Sequence, residues 1–521
     1  MGAHIVLTNF GCELPAFEAL AYDLRKSDHK VSLVFDPFLF DDRIYFRNKN
    51  LAYFFNLTEL IIDKIVALKP DVVGMYLISD TYRWNRLVAS KLKKRLNVPI
   101  LVGGTMAQTA PEQTANEEWI DITCIGNGII HTSKLLDNIA ANKIDYGQQN
   151  FWFRKPNGEI IKNPRAATLP IDEELNFDKS LYMDSIPTWL SYISINSMGC
   201  PWKCAFCSQS KLQETYSHTG RYLEWRKPKK IVEELKEYHQ RFGFKQIDFR
   251  DNTFVANRKD TMELLSLIDE AFGGQMPYKV MTHPSTMTVE IARKLKETGC
   301  YKVQFGVQTV NEKIREDILD RKGSDEKLIE GLRACDEAGL KFSIDHIFNL
   351  PGDSEVDQIA ASRLYSQFKY IGRITCFWLS YFPGSEIVDI AHSMGVLNDK
   401  DVDNINSLEP DGFYLDTGFL RDKDKIKMYN RYHVLLRAMP FLSERVVDFI
   451  LHHNLHKLFD LLPKTIFLWF IDTIVTYRER DIEGYCYLQT YWNQIRRYFW
   501  ISLLGKHRLS RKEFLEIFNE N

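Results

Sequence analysis

The sequence predicts an α/β protein built in three parts: an N-terminal Rossmann-like doubly wound domain, a partial (βα)6 barrel and a C-terminal domain that is mostly helical. Three observations predict it. Short apolar strands alternate with amphipathic helices over residues 1–145 and again over 191–395, the pattern of parallel sheets covered by their crossover helices. Between these blocks, residues 146–190 are broken by Pro156, Gly158, Pro164 and Pro170, as in a connector that carries at most small strands. From residue 396 to 521 the alternation stops and aromatic-rich helical stretches take over.

The first block reads HIVLTNF, VSLVF, DVVGMYLIS, VPILVGG and ITCIG as strands, with helices such as ELPAFEALAYDLRKS and LTELIIDKIVALK between them. The second runs from strand YISIN through KQIDFR, YKVMT, KVQFGVQ and KFSIDHIFNL to RITCFWLS, with a helix in each connection. Gly243, Gly299 and Gly339 close amphipathic runs as helix stops, and Thr288 and Ser324 are positioned as N-caps. Reactive groups of such barrels sit at the C-terminal ends of the strands. A group of three cysteines follows the first strand.

Composition narrows the function. With 67 basic against 69 acidic residues, the chain lacks the basic excess of a nucleic-acid binder. The start, MGAHIVLTNF, has no basic leader and apolar segment, and Val6 stands where a myristoylation signal needs Ser or Thr, so a cytoplasmic location is expected. The stretch TIFLWFIDTIV follows Pro463 and Lys464 and is interrupted by Asp472. It is shorter than the roughly 20 residues of a membrane span, and reads as a buried helix, with contact to a membrane surface as the alternative. Arg226-Lys-Pro-Lys-Lys230 reads as a solvated helix start. The tail histidines His452, His453 and His456 and their aromatic neighbours are explained either by helix packing or by a bulky hydrophobic substrate.

Nine cysteines are too few for a disulfide scaffold in a chain of 521 residues. Three of them, Cys200, Cys204 and Cys207, lie in Met198-Gly-Cys-Pro-Trp-Lys-Cys-Ala-Phe-Cys207, close enough to hold one inorganic cluster in a reducing compartment. With no fourth Cys or His nearby, a closed structural zinc site is disfavoured. Three ligands on a four-iron cubane leave one iron open to a reactant.

This segment resembles the signature of the radical S-adenosylmethionine (SAM) superfamily, CxxxCxxC with an aromatic residue before the last cysteine, here Phe206. The resemblance implies a 4Fe-4S cluster whose open iron chelates SAM, and one-electron cleavage of SAM to methionine and a 5'-deoxyadenosyl radical. It further implies SAM contacts: Asp251 and Asn252 in Arg250-Asp-Asn-Thr-Phe254 at the methionine amino group, unless the pair caps the following helix; Gln308 at the ribose, unless it is a buried structural glutamine. Arg321 is placed at the carboxylate, unless it is an exposed helix-end arginine, and Phe348-Asn-Leu-Pro-Gly352 flanks the adenine.

The domain order is similar to the cobalamin-binding branch of that superfamily, which includes radical methyltransferases and anaerobic magnesium-protoporphyrin ester cyclases. Pro99-Ile-Leu-Val-Gly-Gly104, Ala110-Pro-Glu112 and Asp121-Ile-Thr-Cys-Ile-Gly126 carry that likeness, and they nominate Gly103, Gly104 and Ser79 for a corrin. The cobalt-ligating DxHxxG motif is absent, since the first strand runs into Phe10-Gly-Cys-Glu-Leu14, so cobalamin is expected without a protein histidine on cobalt.

What this implies is hydrogen abstraction and methyl transfer to an unactivated carbon of a small molecule or peptide, with a flavodoxin- or ferredoxin-type electron donor. The alternatives are radical cyclisation or rearrangement, a cobalamin-free radical enzyme whose first domain binds a partner, and a plain electron carrier. No residue is nominated as catalytic beyond the cofactor contacts.

Overall fold

The computed structural model describes residues 2–41, 48–218, 220–407, 419–461, 464–479, 482–505 and 507–518. Five parallel strands, β1 (His4–Phe10), β2 (Lys30–Asp36), β3 (Val72–Tyr76), β4 (Ile100–Gly103) and β5 (Ile122–Cys124), form the first sheet in the order β2-β1-β3-β4-β5. The strand order reverses between β1 and β3, which opens a crevice at their C-terminal ends. The connector adds β6 (Phe151–Arg154) and β7 (Ile160–Ile161) antiparallel to that sheet's edge, with Thr123 opposite Trp152.

A second sheet follows the same physics. Strands β8 (Ser191–Ser194), β11 (Gln246–Phe249), β12 (Tyr278–Thr282), β13 (Cys300–Gln308), β14 (Phe342–Phe348) and β15 (Ile371–Trp378) lie side by side in chain order, all parallel. The remaining strands, β9 (Ser197–Met198) and β10 (Glu224–Trp225), make a small antiparallel pair above it. Every residue of β14 is buried, the mark of a strand covered on both faces. Helix ends follow the expected chemistry at most places. Gly243 and Gly339 cap in the left-handed conformation, and the Thr288 and Ser324 hydroxyls accept from the amides of Ile291 and Lys327. Gly299 is also left-handed, but Thr298 is the cap of its helix.

Three expectations need correction. Strand β3 stops at Tyr76 rather than Ser79, because the Thr81 hydroxyl takes the Ile78 amide and starts a tight turn. Arg226 is not solvated: it is fully buried against the Phe177 ring and bonded to Glu234 at 2.6 Å and to Ile195 O at 3.2 Å, while Pro228 opens the helix. Helix Lys464–Glu479, expected to be buried, exposes Trp469, Phe470 and Tyr477. Pro463, placed before it, lies outside the described residues. Of the tail histidines, His456 packs on Tyr432, whereas His452 and His453 border a surface dent beside Asp448 and Arg363.

Candidate active site

The cysteine loop is positioned by two devices. Gly199 turns the chain out of β9 at φ +85°, where a Cβ would stand 2.3 Å from Tyr222 O, so only glycine fits. Asp251, two residues beyond β11, braces the β8–β9 turn from below. Its Oδ1 accepts from Asn196 N at 2.9 Å, Ser197 N at 2.5 Å and Ser197 Oγ at 2.7 Å. Burial pushes its carboxyl up to about 6, opposed by the bonds from Ser197 and Asn196 and by Arg226. The helix-cap reading of Asp251 and Asn252 fails, because Asn257 caps that helix. Asn252 is exposed and donates to Gly199 O at 3.0 Å.

The Asp251 shift carries a sign. The folded chain holds this proton to about pH 6, whereas the unfolded chain releases it near 3.8. The resulting stability is fully present below about pH 4 and is lost as pH rises through 6, a difference of about 3 kcal/mol. In cluster-free chain, urea unfolding is expected to show that decline between pH 4 and 6, and Asp251→Asn to flatten it.

Cys204 is buried and Cys200 and Cys207 are half-buried. Burial raises the Cys200 thiol and pushes that of Cys207 up to about 11, so ligation depends on a metal to displace the proton. Among the described residues no three His, Cys, Asp or Glu groups converge on a single ion. In a cubane each thiolate has its own iron, so the three sulfurs need not meet at one point. Phe206, between two of the cysteines, packs into an apolar cluster that includes Ile347 and Leu350.

Arg321 is no exposed helix end. It is buried, with Nη1 3.2 Å from Cys204 Sγ and Nη2 donating to Gly306 O. A buried neighbour, Arg315, holds that turn through Thr309 O and Gly323 O, both at 3.2 Å. A Cβ on Gly306 would lie 2.7 Å from Gln308 Nε2 and 3.2 Å from Arg321 Nη2, so the amide and the guanidinium both lie over that glycine. Gln308 ends β13 in the left-handed region, at φ +69°. Asn349 and Gly352, after β14, are left-handed too and turn the backbone there.

Sequence reasoning missed His283. It follows β12 directly, stacks on Trp202 of the cysteine loop with centroids 4.5 Å apart and 7° between planes, and is buried. Burial, then Arg321 and Arg315, push its pKa down to about 2, so the ring is neutral. Nδ1 accepts from Ser285 N, which puts the proton on Nε2. The available signal was a histidine directly after a barrel strand, YKVMTH. Around the strand ends, Asn196 Oδ1 and Nδ2, Asp251 Oδ2, His283 Nε2 and Arg321 Nε are buried without a hydrogen-bond partner. That set of donors and acceptors beside three thiols suits a polar ligand bound next to a cluster, as SAM is.

A cavity of about 410 Å³ opens between the two sheets. One wall is the glycine-rich set of strand ends, Gly103, Gly104, Gly126 and Gly128, with Pro15 and Phe17 beside it. The other is Met198 and Gly199 before Cys200, with Tyr222 and Asn252. Gly104 is at φ +109°, where a Cβ would meet Leu77 O at 2.7 Å. Ser79 is buried in its turn and is not on the lining.

The sequence pattern of the radical SAM superfamily matches residues 196–363, which include the cysteine loop. An uncharacterized methyltransferase of Pyrococcus horikoshii is 24% identical over 353 residues, 66% of this chain and 74% of that protein. The anaerobic magnesium-protoporphyrin IX monomethyl ester cyclase of Cereibacter sphaeroides is 22% identical over 320 residues, 57% of this chain and 49% of that one. Among solved structures, the radical SAM methyltransferase TsrM of Kitasatospora setae, with cobalamin and a 4Fe-4S cluster bound, superposes with TM-score 0.60 at 15% identity, over 75% of each chain. The cobalamin-dependent radical enzyme OxsB, with aqua-cobalamin and SAM, superposes with TM-score 0.60 at 12% identity, over 99% of this chain and 83% of that one. Residues 196–363 of this chain are therefore a radical SAM domain, of the superfamily that binds a 4Fe-4S cluster and SAM.

Proposed function

We propose that the chain is a cobalamin-dependent radical SAM enzyme that transfers a methyl group to an unactivated carbon. The observation that carries this reading is the cavity, whose walls are the strand ends of the first sheet and the residues leading into Cys200. In this reading residues 1–145 are the corrin-binding domain, 146–190 the connector, 191–395 a partial (βα)6 barrel and 396–521 a helical C-terminal domain.

Cys200, Cys204 and Cys207 would hold the cluster, leaving one iron for SAM. Asn252 at the cavity edge, with Gln308 and Arg321 over Gly306, would bind and orient SAM, and Phe206 would pack beside the cluster. Asp251 acts through the turn that it braces. Its uncommitted Oδ2 supports an additional contact to the amino group. His283, neutral and stacked on Trp202, offers an Nε2–H donor and cannot compete for a proton near neutral pH.

Gly103 and Gly104 would let a planar macrocycle approach the backbone, with Pro15 and Phe17 lining the cavity beside it. The β1 loop offers no histidine in the DxHxxG context, so a corrin here is proposed without one on cobalt. Bound together, the cofactors supply a methyl carrier and a carbon-radical initiator. The likeness in fold to TsrM and OxsB, both described with cobalamin, supports this reading over the cobalamin-free one, and the sequence likeness to an uncharacterized methyltransferase supports methyl transfer. The substrate is proposed as a small molecule or peptide, with reducing power from a flavodoxin- or ferredoxin-type protein.

The cavity can be tested separately from the cluster. A Cβ at Gly103 meets nothing closer than Cys124 Cβ at 3.6 Å, so a larger side chain there grows into the cavity. Gly103→Phe is expected to abolish the corrin absorption of chain reconstituted with hydroxocobalamin while leaving the iron content unchanged. Corrin retained at wild-type stoichiometry would place the cofactor elsewhere.

A further inference from the structure

We propose that the paired helices Lys464–Glu479 and Ile482–Leu504 form a docking face for an anionic lipid bilayer. The observation is an apolar face turned outward while polar groups such as Gln494, Ser502 and Asp472 are buried. A helix on the surface of a globular protein turns its polar face to water. In Ile482–Leu504 the inward side carries Cys486, Gln494, Tyr498 and Ser502, all at most 8% exposed. The outward side carries Tyr485, Leu488, Trp492, Phe499 and Leu503, at 41–63% exposure. Their spacing of three, four, seven and four residues keeps them on one face.

Helix Lys464–Glu479 also carries large apolar side chains outward, although Ile471 and Val475 are buried on its inner side. Trp469, Phe470, Ile474 and Tyr477 face out, while Asp472 is buried and paired with Arg437. Polar groups fasten the pair to the connector and to the second sheet. Gln494 and Arg497 donate to the carbonyls of Ser185 and Asp184, and Arg373 of β15 donates to Thr476 Oγ1 at 2.9 Å. The face is thus held outward by bonds that a rotated helix would break.

Contiguous apolar surface of this kind marks a docking site. Its composition favours lipid: Trp and Tyr are the residues of the bilayer interface, and a helix with Trp, Phe and Leu on one face lies in the headgroup boundary. Charge points the same way. Arg496 is exposed in the same stretch, four residues after Trp492 and four before Trp500. A cation at the edge of an apolar, Trp-rich face complements anionic headgroups. Among the described residues no helix is long and apolar enough to cross a membrane, so the contact is superficial.

The test is flotation of the full-length chain with vesicles of phosphatidylcholine alone and of an equal mixture with phosphatidylglycerol. Binding is expected to the mixture, weakened by salt, with tryptophan emission quenched by brominated lipid. The Trp492→Ser/Trp500→Ser variant is expected to lower partitioning at least about tenfold, since each ring buries substantial apolar area. Arg496→Glu is expected to reduce the preference for the anionic vesicles. Circular dichroism melts serve as the fold control. The proposal is overturned if the parent chain stays in the soluble fraction with both vesicles, or if the tryptophan variant floats as the parent does. A concentration-dependent dimer in light scattering, lost in the same variant, with no flotation of the parent, would assign the face to a second copy instead.

Discussion

Replacing Cys200, Cys204 or Cys207 singly by alanine is expected to lower the iron content of reconstituted chain to a small fraction of wild type and SAM cleavage by at least about 10³-fold, or 4 kcal/mol in the barrier. In the proposed cluster each thiolate would hold a different iron, so one deletion would open a second iron to solvent and SAM would no longer have a unique open position. The three are not equivalent. Cys204 also receives the Arg321 guanidinium at 3.2 Å, so Cys204→Ala leaves a buried cation without that partner and is expected to lower the melting temperature as well. Cys12→Ala is the control: Cys12 is exposed in the first domain, and its loss should leave the cluster absorbance unchanged. Iron and sulfide assays with optical spectra of anaerobic samples check both points, and a wild-type cluster in Cys204→Ala would remove that residue from the ligand set.

Arg321→Met is the second large effect. The guanidinium is buried, two of its nitrogens are engaged, and Nε has no partner. Losing charge-assisted hydrogen bonds in such a place costs about 2 to 3 kcal/mol, so SAM affinity of cluster-loaded chain is expected to fall about 30- to 150-fold. Arg321→Lys should recover little, because a point charge does not reproduce the planar fork that bridges Gly306 O and Cys204. Calorimetric titration with SAM measures this directly. An unchanged affinity with an intact cluster would restrict Arg321 to holding the loop.

Much of the fold was legible because it rests on local rules. Alternating apolar runs located the strands of both parallel sheets, and Gly243, Gly339, Thr288 and Ser324 marked helix ends through backbone chemistry that a few residues determine. The cysteine loop was legible from spacing alone. What escaped depends on partners distant in sequence. Asp251 was read as a ligand contact, yet one of its oxygens is committed to a turn more than fifty residues earlier. Arg226 looks solvated in its lysine-rich segment and is buried by Phe177 and Glu234. His283 gained its place from Trp202, about eighty positions away, and no local pattern announces a stacking partner. The tail misled for another reason. Periodicity says that a helix has an apolar face, and only the tertiary contacts of Gln494 and Asp472 show that this face points outward.

The measurement that bears most directly on the proposed chemistry is anaerobic reconstitution with iron, sulfide and hydroxocobalamin, followed by reduction and incubation with SAM. The expected result is a bound corrin together with consumption of SAM to 5'-deoxyadenosine and S-adenosylhomocysteine, both absent in Cys204→Ala. A cluster-loaded, corrin-loaded and reduced chain that leaves SAM intact would contradict it.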